Sequence, residues 1–90
     1  MPERELGRLL AELERELGRS SDLSEDDRVA LGELQRRISG LLDAEPGQRP
    51  EGDEGVAEPV IRYIDQLETS HPTTTMILGR IADALNKLGI

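Results

Sequence analysis

An all-α fold of two helical hairpins follows from three features of the 90-residue sequence. Apolar residues recur every three or four positions in four separate segments, no segment alternates apolar and polar residues with period two, and Gly, Pro, Ser and Asp punctuate the segment ends. The reading is a single small helical domain over 1–90. It comprises an amphipathic hairpin over 1–43, a flexible acidic Pro/Gly linker over 44–55, and a second hairpin over 56–90.

The first helix is expected over 3–17, where Leu6, Leu10, Leu13 and Leu17 repeat at 4-3-4 spacing and Leu9 widens the stripe. Its opposite face carries Glu5/Arg8, Glu12/Arg15 and Glu16/Arg19, i,i+3 pairs worth ~0.2–0.5 kcal/mol each when exposed. Pro2 suits a first helical turn, and Gly18 before Ser20-Ser21-Asp22 reads as a stop and a loop. Gly7 costs ~1 kcal/mol against Ala in a helix interior, so it marks either a close approach of two backbones or a frayed first turn.

The second helix has the strongest local start signal. Ser24 offers a hydroxyl cap, and Glu25, Asp26 and Asp27 place three acids over the positive end of the helix dipole. Leu31, Leu34, Ile38 and Leu41 form its stripe, with Val29 and Leu42 alongside, and Leu23 is expected to fold back onto the hairpin. The stretch from Ala44 to Gly55 has two prolines, three glycines and no large apolar residue, so nothing in it offsets the entropy of ordering it. Residues 45–55 are expected to be mobile.

The third helix should begin near Glu58-Pro59, present Val60, Ile61, Ile64 and Leu67 on one face with Tyr63 at its edge, and end at His71-Pro72. Pro72 then fits the first position of the fourth helix and His71 its N-cap, the ring accepting a hydrogen bond from the Thr74 amide. That helix runs through Ile77, Ile81, Leu85 and Leu88, broadened by Leu78 and Ala82, with Gly89 closing it.

Three stretches resemble a family of short bacterial proteins known as a domain of unknown function. They are the leucine-rich first helix, the start of the second helix (Leu23-Ser24-Glu25-Asp26-Asp27-Arg28, followed by Leu31 and Leu34), and the tail. The tail, Glu68-x-x-His71-Pro72-Thr73 followed by an amphipathic helix closing on Leu88-Gly89-Ile90, is the more specific part. The chain departs from that family's pattern at Leu67, where an aromatic residue is usual, and at Thr74, where Leu is usual. The resemblance implies a family and no activity. A chromosome-partition label carried by relatives would imply an ATPase, and this sequence has no Gly-x-x-x-x-Gly-Lys-Ser/Thr loop.

Composition narrows the function classes. Fourteen Leu, six Ile and three Val must do most of the packing, since Tyr63 is the only aromatic residue and Phe and Trp are absent. With no cysteine, disulfides, thiolate metal sites and Cys nucleophiles are all excluded. Net charge is −8, both halves are acidic, and the ten Arg and single Lys are interleaved with acids. Such a field repels phosphate backbones and anionic lipid, so neither nucleic acid nor a membrane surface is an expected partner. The opening Met-Pro-Glu-Arg-Glu-Leu is not a basic stretch leading into an apolar run, and no segment approaches the ~18 apolar residues of a membrane span. A cytoplasmic protein is expected.

Chemical motifs are sparse. His71 is the only histidine, and Glu68 precedes it at the Glu-x-x-His spacing of di-iron carboxylate bundles. Those sites need two such motifs on continuous helices, and Pro72 interrupts this one; a metal-binding dimer using Glu68 and His71 stays a distant alternative. The Ser and Thr residues read as loop, cap and helix-start residues, and only His71 is a natural base for a nucleophile. The expectation is therefore a protein with no catalytic residues and no cofactor that works as an interaction or oligomerisation module. An acidic regulator masking a basic partner is the alternative.

A homodimer is expected as well as an unidentified protein partner. Cores of chains this short rarely supply more than ~3–5 kcal/mol. The stripes of Leu6, Leu9, Leu10 and Leu13, and of Ile77, Leu78, Ile81 and Leu85, look wider than one neighbouring helix covers. These eight residues are the candidate interface, and Ser24, His71 and Pro72 are the candidate caps.

Overall fold

A computed structural model describes residues 2–43 and 57–89. Among them are four α-helices and no strand: α1 (Pro2–Arg19), α2 (Glu25–Asp43), α3 (Ala57–Leu67) and α4 (Pro72–Leu88). The expected linker over 44–55, and its expected mobility, fall outside the described residues.

Helix α1 starts at Pro2, as a residue with fixed φ and no amide donor should, and continues through Gly18 to Arg19 rather than stopping at the glycine. The Ser20 amide donates to the Glu16 carbonyl at 2.8 Å, closing the last turn. Gly7 is exposed within the helix, and a Cβ placed on it would meet nothing within 4 Å. No backbone approaches there, and the turn containing it is helical.

The α1–α2 turn is held from both sides. Ser24 Oγ accepts the Asp27 amide at 3.1 Å, and the Ser24 carbonyl accepts the Arg28 amide at 2.9 Å as the first helical bond of α2. The half-buried Arg28 guanidinium reaches back over the turn, donating to the carbonyls of Leu17 and of Ser20, the latter at 2.7 Å. Those carbonyls belong to the C-terminal end of α1, where four C=O groups lack helical partners and the dipole is negative. Leu23 is buried between the two polar anchors.

Helix α3 ends at Leu67, four residues before the expected boundary at His71-Pro72. Chain reversal needs room: Glu68, Thr69 and Ser70 form the turn, and the His71 amide donates to the Leu67 carbonyl at 2.8 Å. Helix α4 closes on Gly89 in the left-handed region (φ 78°, ψ 22°), with its amide donating to the Leu85 and Asn86 carbonyls.

The hairpins join through their first and last helices. Helix α1 packs against both α2 and α4, and α3 packs against α4, giving the spatial order α2, α1, α4, α3. One hydrophobic cluster runs through both hairpins, from Leu6 and Leu13 through Leu31 and Ile38 to Val60, Leu67, Ile81 and Leu85. Ile61 and Val29, expected on or beside the apolar faces of their helices, are instead 58% and 55% exposed. Each lies next to a buried stripe in sequence but about 100° or more around the helix from its centre. Leu67 and Thr74 are both buried.

Two stability outcomes follow. Gly7→Ala should raise stability by about 0.5–1 kcal/mol, a shift of a few degrees in thermal midpoint, because the methyl meets no neighbour and the helix gains propensity. Arg28→Ala should cost about 1.5–3 kcal/mol in urea unfolding, and Arg28→Lys should restore only part of that, since an ammonium cannot span two carbonyls as a guanidinium fork does.

Candidate functional site

The eight residues expected to form an intermolecular interface lie inside the chain. Leu6, Leu9, Leu10 and Leu13 on α1, and Ile77, Leu78, Ile81 and Leu85 on α4, are none of them more than 5% exposed. The width of each stripe has an internal cause: α1 has two neighbours, α2 and α4, and α4 has two, α1 and α3. A surface for a second chain has to be sought elsewhere.

Of the expected caps, Ser24 makes its hydrogen bond as described above. Pro72 occupies the first turn of α4, with His71 at the N-cap position (φ −136°, ψ 69°), but the His71 ring makes no cap hydrogen bond. At that ψ the side chain is not turned over the first-turn amides as in an ordinary capped start, and Pro72 has removed one of the donors. The His71 carbonyl does the linking instead, accepting from the Thr75 amide at 3.0 Å and from Thr75 Oγ1 at 2.9 Å.

Two clefts open where α1 meets α4. The smaller lies where the two interhelical turns come together, with Asp22 and Ser20 from one turn and Ser70 and His71 from the other. Among the described residues no hydrogen bond joins a hydroxyl to the His71 ring. Nor, among the described residues, do three or more His, Asp and Glu side chains come together as a metal site, so none of those residues adds a third ligand to Glu68 and His71.

The larger is an open groove of about 610 Å³ between α1 and α4. It is lined by Ile77 and Gly18 and by the charged residues Glu12, Arg15, Glu16, Arg19 and Arg80, and Met76 stands in it 51% exposed. Arg19 pairs with Glu16 at 3.0 Å, and the Glu16 side chain is only 13% exposed. The charges around Met76 are therefore mixed, three basic and two acidic, with one of each paired. Sequence reading missed the groove because Met76 is one position off the buried stripe and its arginines come from two helices.

Replacing the uncapped histidine tests its role directly. His71→Asn should change stability by less than about 0.5 kcal/mol in thermal or urea unfolding, since no ring hydrogen bond is lost at the cap. A loss several times larger would assign the imidazole a specific contact.

No helix among the described residues is long and apolar enough to cross a membrane. No curated protein and no solved structure matches the chain. One family model does, over residues 6–90, and it spans both hairpins as well as the Leu23–Arg28 and Glu68–Thr73 stretches that carried the resemblance. With nearly the whole sequence matched, the chain belongs to DUF4404, the family described as a domain of unknown function.

Proposed function

We propose that this protein is a non-catalytic, cytoplasmic protein–protein interaction module whose contact surface is the groove between α1 and α4. The observation that carries this reading is the environment of Met76: a half-exposed, flexible apolar side chain in a groove that Arg15, Arg19 and Arg80 line together with Glu12 and Glu16, between the two helices that organise the fold. Methionine adapts to varied apolar partners, and arginine is enriched in protein interfaces. The polar residues that could suggest chemistry have structural work instead. Ser24 and Arg28 secure helix ends, and Thr75 bonds the His71 carbonyl.

Affinity capture with the intact chain tests the reading. The wild-type protein should retain a partner in stoichiometric amount, a second copy of itself included, and Met76→Asp should lose it with an unchanged thermal midpoint. If the wild-type protein retains none, or Met76→Asp retains it equally well, the proposal fails.

A further inference from the structure

Met76 differs from the other exposed hydrophobic residues, Val29 and Ile61, in carrying a thioether. The sequence has no cysteine and its only other methionine is Met1, so no thiol within the chain competes for a two-electron oxidant. The Met76 side chain is half-exposed and stands in the open groove between α1 and α4, which is wide enough to admit a molecule the size of hydrogen peroxide. The residues that follow it, Ile77 and Leu78, belong to the hydrophobic core, whereas Met76 does not.

We infer that Met76 is a site of reversible oxidation by peroxide, and that its sulfoxide removes the groove's apolar contact while leaving the fold intact. The loss of contact rests on the interaction-module reading; the oxidation and the intact fold do not. In the chemical step a lone pair on the thioether sulfur attacks one peroxide oxygen, and the S–O bond forms as the O–O bond breaks. The other oxygen takes up the proton and leaves as water, so the sulfur loses two electrons and the peroxide gains them. The product is polar and a hydrogen-bond acceptor. Within a packed core such a group costs free energy unless it is paired, but at Met76 the new oxygen lies in an open cleft. Arg80, one helical turn further along α4, is exposed and has no ion pair among the described residues, so its guanidinium is free to donate to that oxygen. The same step turns a flexible apolar side chain, suited to varied apolar partners, into a polar one.

The test treats the intact chain with hydrogen peroxide, and mass spectrometry of its peptides follows the gain of one oxygen at Met76 separately from Met1. Met76 should react within about threefold of the rate of free methionine, as an accessible thioether does. The oxidised chain should keep its thermal midpoint to within about 2 °C, and methionine sulfoxide reductases of both stereospecificities should together return Met76 to the thioether. In affinity capture the oxidised chain should lose the partner that the reduced chain retains, and reductase treatment should restore it. Met76→Gln, which puts a polar side chain of similar length in the groove, should behave as the oxidised chain does. Protection of Met76 by about tenfold or more against free methionine, a midpoint lowered by several degrees, or equal retention by the oxidised and reduced chains overturns the inference and leaves the interaction-module reading standing. If the reduced wild-type chain retains no partner, that reading fails and the switch falls with it, whatever the rate of oxidation.

Discussion

Everything in this fold depends on α1 being covered on two sides. The helix carries five buried leucines, Leu6, Leu9, Leu10, Leu13 and Leu17, and it packs against both α2 and α4. Burying a leucine side chain is worth about 1.5–3 kcal/mol, so leaving one flank of α1 wet would forfeit a large share of the stability open to so short a chain. The N-terminal hairpin thus recruits the C-terminal one, and α4, also flanked on two sides, completes a single core from two amphipathic pairs.

That core is built almost wholly from branched aliphatic residues. Its one aromatic neighbour, Tyr63, is only half-buried beside the cluster, where α3 faces Ala30, Glu33, Leu34 and Arg37 of α2 across a shallow cleft. Aliphatic cores fill space without strongly selecting one arrangement. The polar anchors supply direction instead. Ser24 and Arg28 tie the end of α1 to the start of α2, and the Glu68–His71 turn with Pro72 sets where α4 begins. The Leu-Ser-x-x-x-Arg stretch is a single device: one residue buried, one capping the helix it opens, and one capping the helix before it.

The surface divides differently from the core. Most of its charges follow the ordinary pattern of exposed helical faces, with i,i+3 and i,i+4 pairs such as Glu16–Arg19 and Asp83–Lys87 that contribute little individually. Against that background the Met76 groove stands out because a half-exposed apolar side chain lies in a cleft between two helices. Isolated exposed hydrophobics are commonplace; Met76 differs in lying within a groove that both α1 and α4 line.

The sequence by itself determined the four helices, since periodicity, Ser24, Pro72 and Gly89 are local signals that act over one or two turns. It was equally informative about which residues leave water: Leu6, Leu13, Leu31, Ile38, Ile81 and Leu85 are all buried. What it could not settle was what each stripe packs against. A stripe two neighbours wide looks the same in sequence whether the second neighbour belongs to the same chain or to another, which is why Leu6, Leu9, Leu10, Leu13, Ile77, Leu78, Ile81 and Leu85 read as an interface. Only the tertiary structure decided that α1 and α4 cover each other. It also decided the reach of Arg28 over eleven residues to Leu17 and the meeting of Arg15 and Arg19 with Arg80 around Met76. Those groupings join distant parts of the chain, and no local spacing encodes them.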